Sequence, residues 1–208
     1  MSSGGKVPSK TGGTFEEDWD SLPSAVAFAN EGEYLEAELE RMQPLVTRAI
    51  AVRNRRADEA EQLRASEQAL RAILGGRVAK SEAAGQRFGL ETLRRQHQLD
   101  QESVDVLLHA AVRLFDPVLA AAHRHEIGRL QEKLGLPAHG RIDVGTLLIL
   151  QYDTIADRAK GRARFRAGSP LVMNDLIVLE AGETNDLLTC QVKLSANAAE
   201  TILGFPPI

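Results

Sequence analysis

The chain has 208 residues, 43% of them hydrophobic, enough for one domain with an appendage or for two small domains. Its net charge of −4 argues against a dedicated nucleic-acid binder, and its single cysteine, Cys190, excludes an internal disulfide framework. No apolar run reaches membrane-span length and no basic-then-apolar leader opens the chain, so the expectation is a cytoplasmic protein.

Residues 1–20 form a polar, acidic tail that is too hydrophilic to order itself. Within it, Phe15-Glu-Glu-Asp-Trp-Asp20 sets two aromatics among four acids. Phe15 and Trp19 either belong to a tethered acidic tail or anchor on a protein partner, because buried aromatics dominate interface energy.

Residues 21–98 read as a helical, coiled-coil-like segment with a connector. From Glu31 to Leu74 two columns recur every seven residues. One is Leu35, Met42, Ala49, Arg56, Leu63 and Leu70; the other is Leu39, Val46, Arg53, Ala60, Glu67 and Leu74. Such spacing keeps one stripe facing a neighbouring helix. The expected self-association seam is therefore Leu35, Leu39, Met42, Val46, Leu63, Leu70 and Leu74. It is interrupted at Arg53 and Arg56, and Pro44 removes one hydrogen bond from the helix. The alternative is a long helix folding back on Arg77–His97 without a second copy. Gly75-Gly76 is the expected helix stop. A phosphate-loop reading around Lys80-Ser81 fails, because Ala79 and Leu74 stand where the glycines must be.

Residues 99–208 read as a compact unit. Asp100 caps a helix whose apolar face is Val104, Leu107, Leu108, Ala111, Val112 and Phe115. Pro117 opens the next helix, which runs to Gly135. Asp143 caps the apolar stretch Val144–Leu150, and a further helix is expected from Asp153 to Phe165. The loop Arg166–Pro170 then leads to a hairpin: Asp175–Glu180 and Leu187–Leu194 are rich in aliphatic residues around the turn formers Ala181–Asp186. Ala196 to Leu203 closes the unit as a helix. Cys190, within the second strand pattern, reads as a buried structural thiol. A hairpin hung on a helical cluster is the outline of a winged helix-turn-helix. The expected fold is mainly α: a long N-terminal helix, then a winged helix with one two-stranded β-hairpin.

Nothing in the sequence looks catalytic, and no cofactor is implied. His123 and His125 lie two apart and point to different sides of a helix, so no metal site is expected. No Ser-His-Asp order and no glycine fingerprint after a strand is present. The basic run Arg158, Lys160, Arg162, Arg164 and Arg166 occupies the place of a recognition helix. It spreads around more than one helical face, and the wing beside it is acidic, which disfavours a phosphate grip.

The strings Leu99-Asp-Gln-Glu-Ser-Val-Asp-Val-Leu-Leu108, Leu114-Phe-Asp-Pro-Val118, Arg141-Ile-Asp-Val144, Ser169–Leu179, Leu194-Ser195 and Ile202-Leu-Gly204 carry a resemblance. Together they resemble the winged-helix domain that precedes the ATPase module in a bacterial family of AAA+ proteins. Members of that family often accompany extracellular contractile injection systems. Glu33–Glu40 is similar to the leucine-rich helical segment before that domain, and the similarity spans roughly residues 30–205. The chain has no Walker A or Walker B element, so no catalytic residue of the family carries over.

The resemblance implies a non-catalytic module that recruits substrates or partners for an AAA+ ATPase, as its N-terminal domain or as an adaptor. In the first case a natural full-length protein would be the ATPase, and in the second the chain is a stand-alone relative. The other reading is a winged-helix DNA-binding regulator that dimerises through its N-terminal helix. A protein partner, a second copy of the chain and no membrane contact are the corresponding expectations.

Overall fold

The computed structural model describes residues 26–115, 117–136, 138–182 and 186–205. Helix α1 (Glu31–Arg53) starts at Asn30, whose side chain accepts from the Glu33 amide at 3.0 Å. Glu33 reaches back to accept from the Ala29 amide at 2.6 Å, a reciprocal cap. α1 runs through Pro44 and stops at Asn54–Arg56, where α2 (Ala57–Ala83) turns back along it. The forty-residue helix expected from the heptads is thus two helices forming a hairpin.

The position of that turn has a clear cause. Arg55 adopts φ 58°, the Arg56 amide bonds to the Ala51 carbonyl at 2.9 Å, and the Arg55 amide bonds to Val52 at 3.1 Å. This is a Schellman stop with arginine in the left-handed position that glycine normally fills. Gly75-Gly76, the expected stop, sits inside α2; the helix ends instead at Gly85, φ 88°. A left-handed residue with a side chain costs about 1 kcal/mol. Arg55→Gly is therefore expected to stabilise the protein by about 0.5–1 kcal/mol in urea titration, since glycine's extra unfolded-state freedom offsets part of the relief. An unchanged or lowered midpoint would show that the turn is not strained.

Helix α3 (Gly89–Gln96) leads to α4 (Gln101–Phe115), with the Ser103 amide held by Asp100 at 2.9 Å as expected for a cap. Next come α5 (Pro117–Lys133), α6 (Val144–Gln151) and α7 (Ile155–Gly161). The single helix expected to reach Phe165 ends at Gly161 and tightens into a 3₁₀ turn, Arg162–Phe165. A short helix α8 (Pro170–Met173) then occupies part of the expected loop.

The hairpin pairs β1 (Ile177–Glu180) with β2 (Gln191–Leu194) antiparallel, Ile177 opposite Leu194 and Glu180 opposite Gln191. Leu187–Thr189, expected as strand, is a 3₁₀ turn, and Cys190 follows it half-buried at the strand's edge, where a fully buried thiol was expected. Helix α9 (Ala196–Ile202) closes the described chain. Asp143 also forms a β-bridge to Gln191, and the Val192 amide bonds to the Ile142 carbonyl at 3.0 Å. The α5–α6 connection is thereby pinned beside the hairpin.

One main core runs through these elements: Phe28, Tyr34 and Leu35 belong to the same cluster as Leu107, Leu147 and Leu194. Of the heptad seam, Leu35, Leu39, Met42, Val46 and Leu74 are buried within the chain, Leu63 is half-buried, and Leu70 is 38% exposed. The chain itself therefore shields most of the stripe. Gly89 lies against α9 so closely that a Cβ there would sit 1.7 Å from the Thr201 carbonyl oxygen. That contact joins segments on either side of the expected boundary at residue 98.

The hairpin interior also holds charge. Arg41, 1% exposed, donates to Glu38 at 2.8 Å, to Glu67 at 3.1 Å and to Asp105 of α4 at 2.5 Å. Arg71 adds a second cation on Glu67. Burial lowers the pKa of a lone guanidinium, but Asp105 and Glu38 raise that of Arg41 above its ordinary value. Burial pushes the Glu38 carboxyl up, with Arg41 opposing. No helix among the described residues is long and apolar enough to cross a membrane.

Candidate interaction site beside the wing

Helix α7 is positioned from both ends. The Thr154 hydroxyl accepts from the Asp157 amide at 3.1 Å and caps its start. At its far end Gly161 packs against the Tyr152 ring, where a Cβ would approach Cε2 to 2.3 Å. This packing fixes the basic run that follows.

The five basic residues do not converge. Arg158 donates to the backbone carbonyls of Tyr152 (2.9 Å) and Asp153 (3.2 Å). Lys160 faces Asp157 at 3.6 Å. Arg164 folds onto Asp100, Glu102 and the Tyr152 hydroxyl, and these carboxylates hold its charge firmly despite partial burial. Arg162 and Arg166 alone have neither an ion pair nor a side-chain hydrogen bond among the described residues. Three of the five cations thus belong to internal contacts.

Beside α7 lies a groove of about 980 Å³ between α6, α7 and the wing. Its walls include Leu136, Leu148, Ile149, Ala159 and Leu188, and its rim carries His139, Arg141, Arg158 and Arg162 against Asp143 and Glu180. Ile155, the first residue of α7, lines it and is 83% exposed. Among the described residues the groove sets three arginines against two carboxylates, Asp143, which caps α6 (Thr146 amide, 2.6 Å), and Glu180, which pairs with Lys193.

A family model described as "Winged helix domain, variant" matches residues 17–206. The chain belongs to this family. No curated protein and no solved structure matches it. The match fits the order seen here, with α6 and α7 preceding a two-stranded wing. The basic run expected on one recognition helix lies on a seven-residue helix and the 3₁₀ turn after it.

Of the histidines, His123 of α5 meets a residue that sequence reasoning overlooked. His109 of α4 places Nδ1 3.0 Å from His123 Nε2. His109 is 3% exposed, and its Nε2 has no hydrogen-bond partner among the described residues. No local signal pairs residues on two separate helices. Among the described residues no group of three or more His, Cys, Asp or Glu side chains could hold a metal. Phe15 and Trp19 lie outside the described residues.

Burial, the neighbouring ring and Arg41 lower the His109 pKa well below its usual value, and burial lowers that of His123 to about 4. Both rings are neutral in the folded protein near pH 7. As pH falls below about 6.5, the unfolded chain takes up protons that the folded chain refuses. Stability is therefore lost from pH 6.5 down to about 4, by up to about 3 kcal/mol for His123. Glu31, which burial pushes up to about 7 against the Gly89 amide, works in the opposite direction, so the comparison must be with a variant. His123→Gln is expected to flatten the acid-side loss in urea titrations between pH 7.5 and 5. Parallel pH profiles for the two proteins would refute the neutral pair.

Proposed function

We propose that this winged-helix domain is a non-catalytic protein-interaction module. It recruits a partner or substrate to an AAA+ ATPase of the type found with contractile injection systems, in the bacterial cytoplasm. The observation that carries this reading is the groove beside α7. A large aliphatic, Ile155, stands almost fully exposed at its mouth, above apolar walls and a basic rim. Its occupant is a protein segment with aliphatic or aromatic anchors flanked by carboxylates, which matches walls and rim together. The sequence resemblance supplies the ATPase, and the groove supplies the docking surface.

The DNA-binding alternative requires cations aimed at phosphates, and the internal pairing of Arg158, Lys160 and Arg164 speaks against it. Fluorescence anisotropy with a random duplex at low salt separates the readings. The interaction module shows no steeply salt-dependent binding in the micromolar range. Micromolar binding that falls with added salt, and is lost when Arg158, Arg162 and Arg164 become Ala, would establish the regulator instead.

A further inference from the structure

Adjoining the groove, with Arg141, Glu180 and Gln191 lining both, a cavity of about 670 Å³ opens between α4, the start of α5, the 140–142 segment and β2. Three arginines line it, Arg113 from α4, Arg124 from α5 and Arg141 beside the β-bridge, together with Lys193 and one carboxylate, Glu180. Lys193 and Glu180 neutralise each other at 2.6 Å. Arg113 and Arg124 form no ion pair among the described residues, and the partner of Arg141 is the neutral side-chain carbonyl of Gln191, at 3.1 Å with the amide oriented to accept.

Elsewhere arginines such as Arg41, Arg64, Arg71, Arg77, Arg95 and Arg129 each rest on a carboxylate. Among the described residues of this chain of net charge −4, three guanidinia around one concavity thus stand without a carboxylate partner. Like charges held together repel, and a concave site concentrates their field. The backbone brings Arg141 up to Arg124. Gly140, φ 63°, packs where a Cβ would stand 2.7 Å from the Arg124 carbonyl, so Arg141 leaves the chain directly against α5. The floor is the neutral pair His109–His123, which adds no competing anion.

We infer that this cavity is a binding site for a compact, multiply charged small-molecule anion, held by the forked donors of Arg113, Arg124 and Arg141. A guanidinium offers two parallel N–H groups that match two oxygens of a phosphate or a carboxylate, and three of them neutralise a ligand of comparable charge. The cavity volume suits a small metabolite, since ligand pockets commonly span about 300–1,000 Å³.

Calorimetric titration of the full chain with pyrophosphate and with citrate, at constant ionic strength, tests the inference and distinguishes phosphoryl from carboxylate chemistry. At least one of the two should bind saturably and raise the thermal midpoint. Arg113→Ala/Arg124→Ala should weaken that binding at least about tenfold. Arg113→Lys/Arg124→Lys, which keeps the charge and loses the fork, should retain only part of it. Arg158→Ala/Arg162→Ala, outside the cavity, should bind like the wild type. Arg113 and Arg124 are exposed, so their variants keep the fold, and the thermal midpoint without ligand verifies this for every variant. The inference is overturned if neither anion gives a saturable signal at millimolar concentration beyond that of chloride, or if binding survives the double alanine substitution.

Discussion

Arg41→Met is expected to destabilise the protein by about 3–5 kcal/mol, the usual cost of removing one partner from a buried charge cluster. The cation stands at the centre of Glu38, Glu67 and Asp105, contributed by α1, α2 and α4, with their side chains almost wholly inaccessible. Arg71 can still serve Glu67, where it sits at 2.5 Å, but Asp105 lies 4.0 Å from it. Removal of Arg41 leaves Glu38 and Asp105 buried without their cation. The carboxyl of Glu38, already pushed up by burial, is pushed up further without the opposing Arg41 charge, so part of the loss returns on acidification. Adding Glu38→Gln and Asp105→Asn to the variant should recover much of the stability, because the cost lies in the stranded charges. Urea titration of the single and triple variants measures both effects. A single variant within about 1 kcal/mol of wild type would show that the cluster is solvated.

Gly89→Ala is expected to cost about 3 kcal/mol or more, as an overpacked contact with no flexible group to yield. The added methyl would meet the Thr201 carbonyl oxygen and carbon at 1.7 and 2.7 Å, both backbone atoms of α9. Relief therefore requires α9 to move from α3, and with it the buried Ala198 and Ile202. Hydrogen exchange should quicken in both helices. Gly75→Ala is the control: it sits within α2 with no atom within 4 Å of an added Cβ, and should stabilise by about 0.5–1 kcal/mol. Equal midpoints for the two substitutions would contradict the packing described here.

The features legible in the sequence were those written locally. Asp100 and Asp143 cap the helices expected of them, since each cap needs only an oxygen three residues before an amide. The hairpin lies inside the expected strands because aliphatic runs around a turn cluster are a short-range signal. The winged-helix family follows from that order of elements.

Other features depend on partners distant in sequence. The stop at Arg55 carries no glycine, while the real glycine pair at 75–76 continues a helix, so composition pointed to the wrong break. The seven-residue columns recorded burial correctly for Leu35, Leu39 and Met42, but the cover comes from the chain's own hairpin and core. Glu67, a member of one seven-residue column, accepts a hydrogen bond from Arg41, 26 residues away. The groove escaped notice for the same reason: Ile155, Leu136 and Leu188 are unremarkable singly and meet only in the fold.

The central claim is that the α7–wing groove docks a protein. The most direct measurement is a calorimetric titration of this chain with a peptide whose aliphatic and aromatic anchors are flanked by carboxylates. The wild type should bind saturably. Ile155→Asp, which sets a carboxylate in the apolar mouth of the groove, should weaken that binding at least about tenfold. Arg87→Glu, outside the groove, should leave it unchanged. Absence of binding by the wild type, or an Ile155→Asp variant that binds equally well, would contradict the account.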